Sequence, residues 1–203
     1  MGRFRPLVVG IGGTTRTGSS CERALRCALR CAKEHGAQVE LFAGSAINLP
    51  MYAPDALERT DDARKFICAL QRAHGIILAS PGYHGSISGL IKNALDYTED
   101  LRRDQLPYLE GRAVGLIACA SGWQATGTTV SAMRSVVHAL RGWPTPLAVV
   151  INTTETPFDA DGVPSDRSIA TQLSLLARQV VEFAEMRAAR SLANSEAALH
   201  ATH

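Results

Sequence analysis

The stretch Gly12-Gly13-Thr14-Thr15-Arg16-Thr17-Gly18-Ser19-Ser20 combines pliable backbone, hydroxyls and one guanidinium directly after an apolar run. Such a loop ahead of a helix offers free backbone N–H groups, hydroxyl donors and the positive helix end, the parts of a phosphate site. The dinucleotide pattern G-x-G-x-x-G fails, because Gly10 and Gly12 are followed by Thr15 where a third glycine belongs. The second apolar run also ends in Leu41-Phe42-Ala43, without a ribose-binding acid. The nucleoside-triphosphate loop GxxxxGK[ST] fits at Gly13 and Gly18, but Ser19 stands where the lysine is required. A hydroxyl-rich loop with one arginine remains, suited to a single terminal monophosphate. The bland alternative is a glycine turn with solvent-facing hydroxyls.

The elements that must position this loop follow from hydrophobic pattern. Apolar, β-branched-rich runs at residues 7–11, 39–42, 76–79, 113–119 and 147–151 read as strands buried on both faces, as in a parallel sheet. Between them, 22–33, 63–70, 87–97 and 130–140 have helical period, and 169–189 forms a long last helix. Strand and helix alternate five times, which predicts a doubly wound α/β sheet of three layers in one domain, residues 1–189. Residues 190–203 are expected to be a flexible tail. Residues 44–58, with Pro50, Met51, Tyr52 and Pro54, are expected as a surface loop near the ligand edge. In such sheets ligands bind beyond the carboxyl ends of the strands, beside the first strand. The glycine-rich turn lies there.

Composition narrows the function classes. The chain has 203 residues, 46% hydrophobic and 20% charged, with a net charge of +2, so no basic footprint for nucleic acid is present. No stretch approaches the ~20 apolar residues of a membrane span, and the first apolar run is too short for a signal peptide. Five cysteines without a C-x-x-C pattern fit a reducing cytoplasm. Cys27 and Cys31 are four apart, but no third ligand completes a metal set, so no metal is expected. No histidine falls into a nucleophile constellation, and no G-x-S-x-G elbow exists.

Gly13 to Ser20 resembles the phosphate loop G[ST]xRxxS of the NADPH-dependent FMN reductases, which are flavodoxin-like. A second stretch agrees, Ser80-Pro81-Gly82-Tyr83-His84-Gly85-Ser86-Ile87-Ser88-Gly89-Leu90-Ile91-Lys92-Asn93-Ala94-Leu95-Asp96-Tyr97. That family usually reads Pro-Glu-Tyr-Asn-x-Ser-x-Pro-Gly-x-Leu-Lys-Asn-x-x-Asp there. The resemblance covers about residues 7–185. It implies a flavodoxin-like five-stranded parallel sheet, bound FMN, and NADPH or NADH as co-substrate. It further implies electrons passed to a free flavin, quinone or similar acceptor by a homodimer or homotetramer.

By the same resemblance, Thr14, Arg16, Gly18, Ser19, Ser20 and Cys21 hold the phosphate. Pro81, Gly82, Tyr83, His84, Gly85 and Ser86 meet the flavin ring, and Ser121, Gly122, Trp123 and Gln124 form a third loop on its pyrimidine side. Gly82 and His84 depart from the family pattern. His84 either tunes the flavin, touches substrate, or is a plain loop histidine. Trp123 either stacks over the flavin, narrows the substrate side, or plugs a surface groove. No catalytic acid or base is expected, since the cofactor carries the chemistry. Two alternatives stay open: a flavoenzyme for one dedicated metabolite, and a flavodoxin-type electron carrier. Carriers are typically acidic, which the +2 charge opposes. The 87–97 helix, with apolar Ile87, Leu90, Ile91, Ala94 and Leu95, is expected to leave an exposed patch for a second copy.

Overall fold

Leu7–Gly12 is buried at every position, as a strand covered on both faces must be. The computed structural model describes residues 4–56 and 58–200. In it this strand, β1, is followed by β2 (Gln38–Phe42), β3 (Gly75–Tyr83), β4 (Ser86–Ile87), β5 (Ala113–Ala120) and β6 (Trp143–Asn152). The helices are α1 (Ser20–Glu34), α2 (Asp61–Arg72), α3 (Gly89–Asp96), α4 (Trp123–Ala139) and α5 (Arg167–His200). Five strands form a parallel row in the order β2-β1-β3-β5-β6, and β4 pairs antiparallel with the end of β3. The direction of winding reverses between β1 and β3, so their carboxyl ends open a crevice. Phe66, Ile91 and Met133 pack on one face of the sheet; Leu25, Ala28 and Leu173 pack on the other. The three-layer α/β/α architecture is the expected one.

Several boundaries differ from the sequence reading, each for a local reason. β6 begins at Trp143 rather than residue 147, although Pro144 and Pro146 lie inside it. It is an edge strand, and the Trp143 N–H donates to Arg112 O of the neighbouring strand's approach at 2.9 Å. Alternation then turns the Pro144 nitrogen away from β5, and Pro146 falls in a bulge where the register shifts between the Val114–Pro144 and Leu116–Ala148 pairs, so neither proline costs a ladder hydrogen bond. β3 runs past Pro81 to Tyr83 because β4 pairs with its end. Ile87 therefore belongs to a strand, and α3 starts at Gly89 after the Ser88 cap. Within α3, Ile91, Ala94 and Leu95 are buried, while Ile87 and Leu90 are partly buried against the same core. The apolar patch expected on this helix is thus covered by the chain itself.

Residues 190–200 continue α5, where the sequence analysis expects a tail; they hold Ala, Leu and Glu and no Gly or Pro, which suits a helix. The 44–58 loop opens with a 3-10 turn, Gly44–Ile47. Asn93 then clasps it, accepting the Tyr52 N–H at 2.8 Å and donating to the Leu49 and Pro50 carbonyls.

At the opposite end of the strands, His74 Nδ1 accepts the Leu7 N–H at 3.1 Å, which requires a neutral ring. Burial lowers its proton affinity, and the nearby Arg112 charge adds to this. A base depressed in the folded state binds fewer protons there than in the unfolded chain, so stability must fall as pH drops below about 6.5. The loss is expected to be modest, since much of the ring stays in water. Urea midpoints at pH 7.5 and pH 5 should fall more for the wild type than for His74→Gln; equal falls would assign the acid sensitivity elsewhere.

Candidate functional site

The turn after β1 owes its path to close approach. A Cβ on Gly13 would lie 2.6 Å from Pro81 Cδ and 2.8 Å from Ile91 Cγ1, so only glycine lets this turn rest on the end of β3. Ser19 caps α1, its hydroxyl oxygen accepting the Glu22 N–H at 3.2 Å and the Thr14 O–H at 2.9 Å. The Glu22 carboxylate reaches back to accept the Gly18 N–H at 2.9 Å, a reciprocal cap of the S-x-x-E kind, and its other oxygen meets Arg26 at 2.7 Å. Gly18 sits at φ +70°, which favours glycine. The amides of Ser20 and Cys21, first in α1, take no acceptor among the described residues. Arg16 is exposed, and its guanidinium has no partner among them either. Thr14 uses its hydroxyl proton within the loop, toward Arg16 O and Ser19 Oγ. It shapes the turn rather than presenting a free donor.

The second loop is a tight hairpin. Gly82 pairs with Ile87 and Tyr83 with Ser86, leaving a two-residue turn of His84 and Gly85 at φ +50° and +84°. A Cβ on Gly82 would come within 2.6 Å of Thr129 Oγ1 and 3.1 Å of Ala125 O, so an acid cannot replace it beneath this helix. That accounts for its departure from the family pattern. Ser80 and Ser88, which sequence reasoning left unassigned, tie the two loops together. Ser80 Oγ accepts the Ser88 N–H at 3.1 Å, and Ser88 Oγ donates to Gly13 O at 3.1 Å.

The third loop is shorter than expected. Trp123 and Gln124 are not in it; they are the first residues of α4, after the Gly122 cap. The Trp123 side chain is half-exposed.

Two cavities meet at these loops. The smaller, about 260 Å³, is lined by Thr14, Arg16, Ser19, Ser20, Cys21, Pro81, Gly82, Tyr83 and Ser121 from the expected set. Cys119, Ala120 and Thr153, which sequence reasoning missed, complete it. Gly18, His84, Gly85, Ser86, Gly122, Trp123 and Gln124 do not line it. The larger, about 410 Å³, shares Thr14, Arg16 and Tyr83 with its neighbour. Cys119 is buried, and its hydrogen bond with Cys21 together with burial pushes its thiol well up, so it stays protonated near neutrality. The smaller cavity contains a cation, free amides and hydroxyls but no acid. This donor set fits a phosphate monoester on a ligand that reaches from the first loop to the other two. No cluster of metal ligands occurs among the described residues, and no described helix is long and apolar enough to cross a membrane.

A family model described as NADPH-dependent FMN reductase matches residues 6–156. The FMN-dependent NADPH-azoreductase of Staphylococcus aureus is 31% identical over 110 residues, 53% of this chain and 55% of that protein. The chain thus matches about half the length of such curated relatives. Among solved structures, the flavoenzyme NAD(P)H:(acceptor) oxidoreductase FerB of Paracoccus denitrificans superposes with a TM-score of 0.75 at 19% identity. That likeness covers 90% of this chain and 98% of that one. An oxidoreductase of Corynebacterium diphtheriae gives 0.68 at 18% identity, covering 88% and 96%. At such identities the likeness concerns the fold.

Proposed function

Because the chain belongs to the NADPH-dependent FMN reductase family, we propose that it binds FMN in the smaller cavity and works as an NAD(P)H-dependent oxidoreductase. The observation that carries this reading is the unpartnered Arg16 beside the open Ser20 and Cys21 amides, in a cavity that also touches the second and third loops. When bound, FMN supplies a ring that takes hydride from a reduced nicotinamide and returns electrons to an acceptor. The acceptor is a free flavin, a quinone or an azo compound, the last being the class named by the Staphylococcus aureus relative.

The chain's own residues bind and orient. Arg16, Ser19, Ser20 and the first amides of α1 hold the phosphate, while Thr14 and Gly18 keep the turn in shape. The backbone from Pro81 to Tyr83, with Ser121, borders the ring, and the protonated Cys119 keeps the cavity floor uncharged. His84, Gly85 and Ser86 act through the hairpin they close. A homodimer or homotetramer in a reducing cytoplasm completes the proposal; the exposed Met51, Tyr83 and Trp143 support association.

The test is to load the purified protein with FMN and add NADPH anaerobically. Retained flavin that bleaches, and recovers its colour when a quinone is added, is the expected result. Protein that retains no flavin after gel filtration overturns the proposal.

A further inference from the structure

Two side chains that the proposed function leaves idle sit one above the other on α1. Cys27 is buried and Cys31 half-buried on the side that packs against α5, and both are free thiols. They are spaced i to i+4, the interval that stacks side chains on one helical face. Cys31 donates its S–H to the Cys27 sulfur, so the two sulfurs touch. That bond, aided by the Arg30 guanidinium, pulls the Cys27 thiol down to about 7 against the opposing effect of burial. The same bond, together with burial, pushes the Cys31 thiol up. Cys27 therefore carries thiolate near neutrality, the form that binds metals. Ser174 of α5 meets Cys31 and lies 3.5 Å from His35 Nε2, so the imidazole is turned to the serine.

The spacing decides which bridge can close. On a helix the Cβ atoms of residues i and i+4 are about 5–6 Å apart, whereas a disulfide needs about 3.5–4.5 Å. Closing a disulfide here would unwind α1. An ion bonded to both sulfurs at about 2.3 Å, the zinc–thiolate length, holds them up to ~4.6 Å apart. That span suits an undistorted helix. Zinc itself takes four ligands and iron–sulfur clusters take four cysteines, but no group of three metal ligands is assembled among the described residues. A soft monovalent ion needs only two thiolates in line.

We infer that Cys27 and Cys31 form a two-coordinate site for a soft monovalent cation, cuprous ion being the biological case. The inference is independent of the function proposed above, and neither thiol lines either cavity at the loops. Binding converts one thiolate, one thiol and one cation into a bis-thiolate complex. The Cys31 proton leaves and no electron is transferred. The cation takes that proton's place, so the pair keeps a charge of −1, which Arg30 already offsets and Glu34 opposes.

The purified, fully reduced chain would be titrated anaerobically with cuprous ion held by bathocuproine disulfonate, a coloured competitor. Wild type would be compared with Cys27→Ser, Cys31→Ser and Cys68→Ser, Cys68 being the exposed thiol of α2. Wild type should hold one ion more per chain than Cys27→Ser or Cys31→Ser, and Cys68→Ser should match wild type. Either loss should weaken that ion by about a hundredfold or more, since losing even a group that orients a metal ligand costs about 10- to 100-fold. An ion count that neither substitution changes overturns the inference, whatever the other thiols hold. If a serine variant does not fold, wild type is alkylated with iodoacetamide and read peptide by peptide. One equivalent of ion should slow labelling of Cys27 and Cys31 but not of Cys68; equal rates with and without the ion overturn the site.

Discussion

Replacing Arg16 by alanine should weaken FMN binding strongly and riboflavin binding hardly at all. Riboflavin has the same ring without the phosphate, so the difference isolates the contact. Arg16 stands over the cavity with no partner among the described residues, so its removal breaks no internal hydrogen bond. Hydrogen bonds to charged groups contribute about 1.5–3 kcal/mol. With ~1.4 kcal/mol to a factor of ten, losing one contact gives about 10- to 150-fold weaker FMN binding. The effect should shrink at high salt, which screens an exposed guanidinium. Equal losses for FMN and riboflavin would instead assign Arg16 to the ring or to the fold.

The second large effect is expected at the far end of the strands, and on stability alone. Arg112 is only 5% exposed and makes no ion pair with a carboxylate among the described residues. Its Nε donates to Ala73 O at 2.9 Å, Nη1 to Tyr108 O at 3.0 Å and Nη2 to Gln71 O at 3.3 Å. The fork therefore joins the end of α2, the turn into β3 and the approach to β5. Burial pulls its proton affinity down, with Asp104 acting the other way. Removing the guanidinium leaves several carbonyls without donors, at about 1–3 kcal/mol for each one that stays dry. Arg112→Met keeps most of the volume and should still cost about 3 kcal/mol, or roughly 6–12 °C in Tm for a chain of this size. FMN-over-riboflavin discrimination should be untouched. A Tm within about 2 °C of wild type would mean that water replaces the guanidinium.

The strands read most easily from the sequence were those buried on both faces, because their apolar runs are unbroken. β1 and β5 are buried throughout and were placed within a residue or two. β6 was half hidden because proline normally forbids a strand, and its edge position together with a bulge makes Pro144 and Pro146 tolerable. The start of α4 was hidden by composition. Thr126, Thr128 and Thr129 suit loops as well as helices, and here their hydroxyls bond back to the carbonyls of Trp123, Gln124 and Ala125. That moved Trp123 and Gln124 from a loop to a helix. The phosphate-side residues were legible because a glycine-rich turn must use particular residue types. Thr153 was not, since it follows β6 without a motif and reaches the cavity only through strand order. Ser80 and Ser88 were likewise silent: their task is to join two loops distant in sequence.

The proline pair at the start of β6 also bears on how copies of this chain can behave when crowded. An open sheet border normally presents alternating donors and acceptors to any extended segment that drifts alongside. Pro144 gives that border no N–H, Pro146 falls where a bulge shifts the register against β5, and the Pro146 carbonyl is already taken by Arg134. A foreign strand aligned there would leave its own acceptors unmatched. The first half of β6 is therefore a poor template for sheet-to-sheet growth from one molecule into the next.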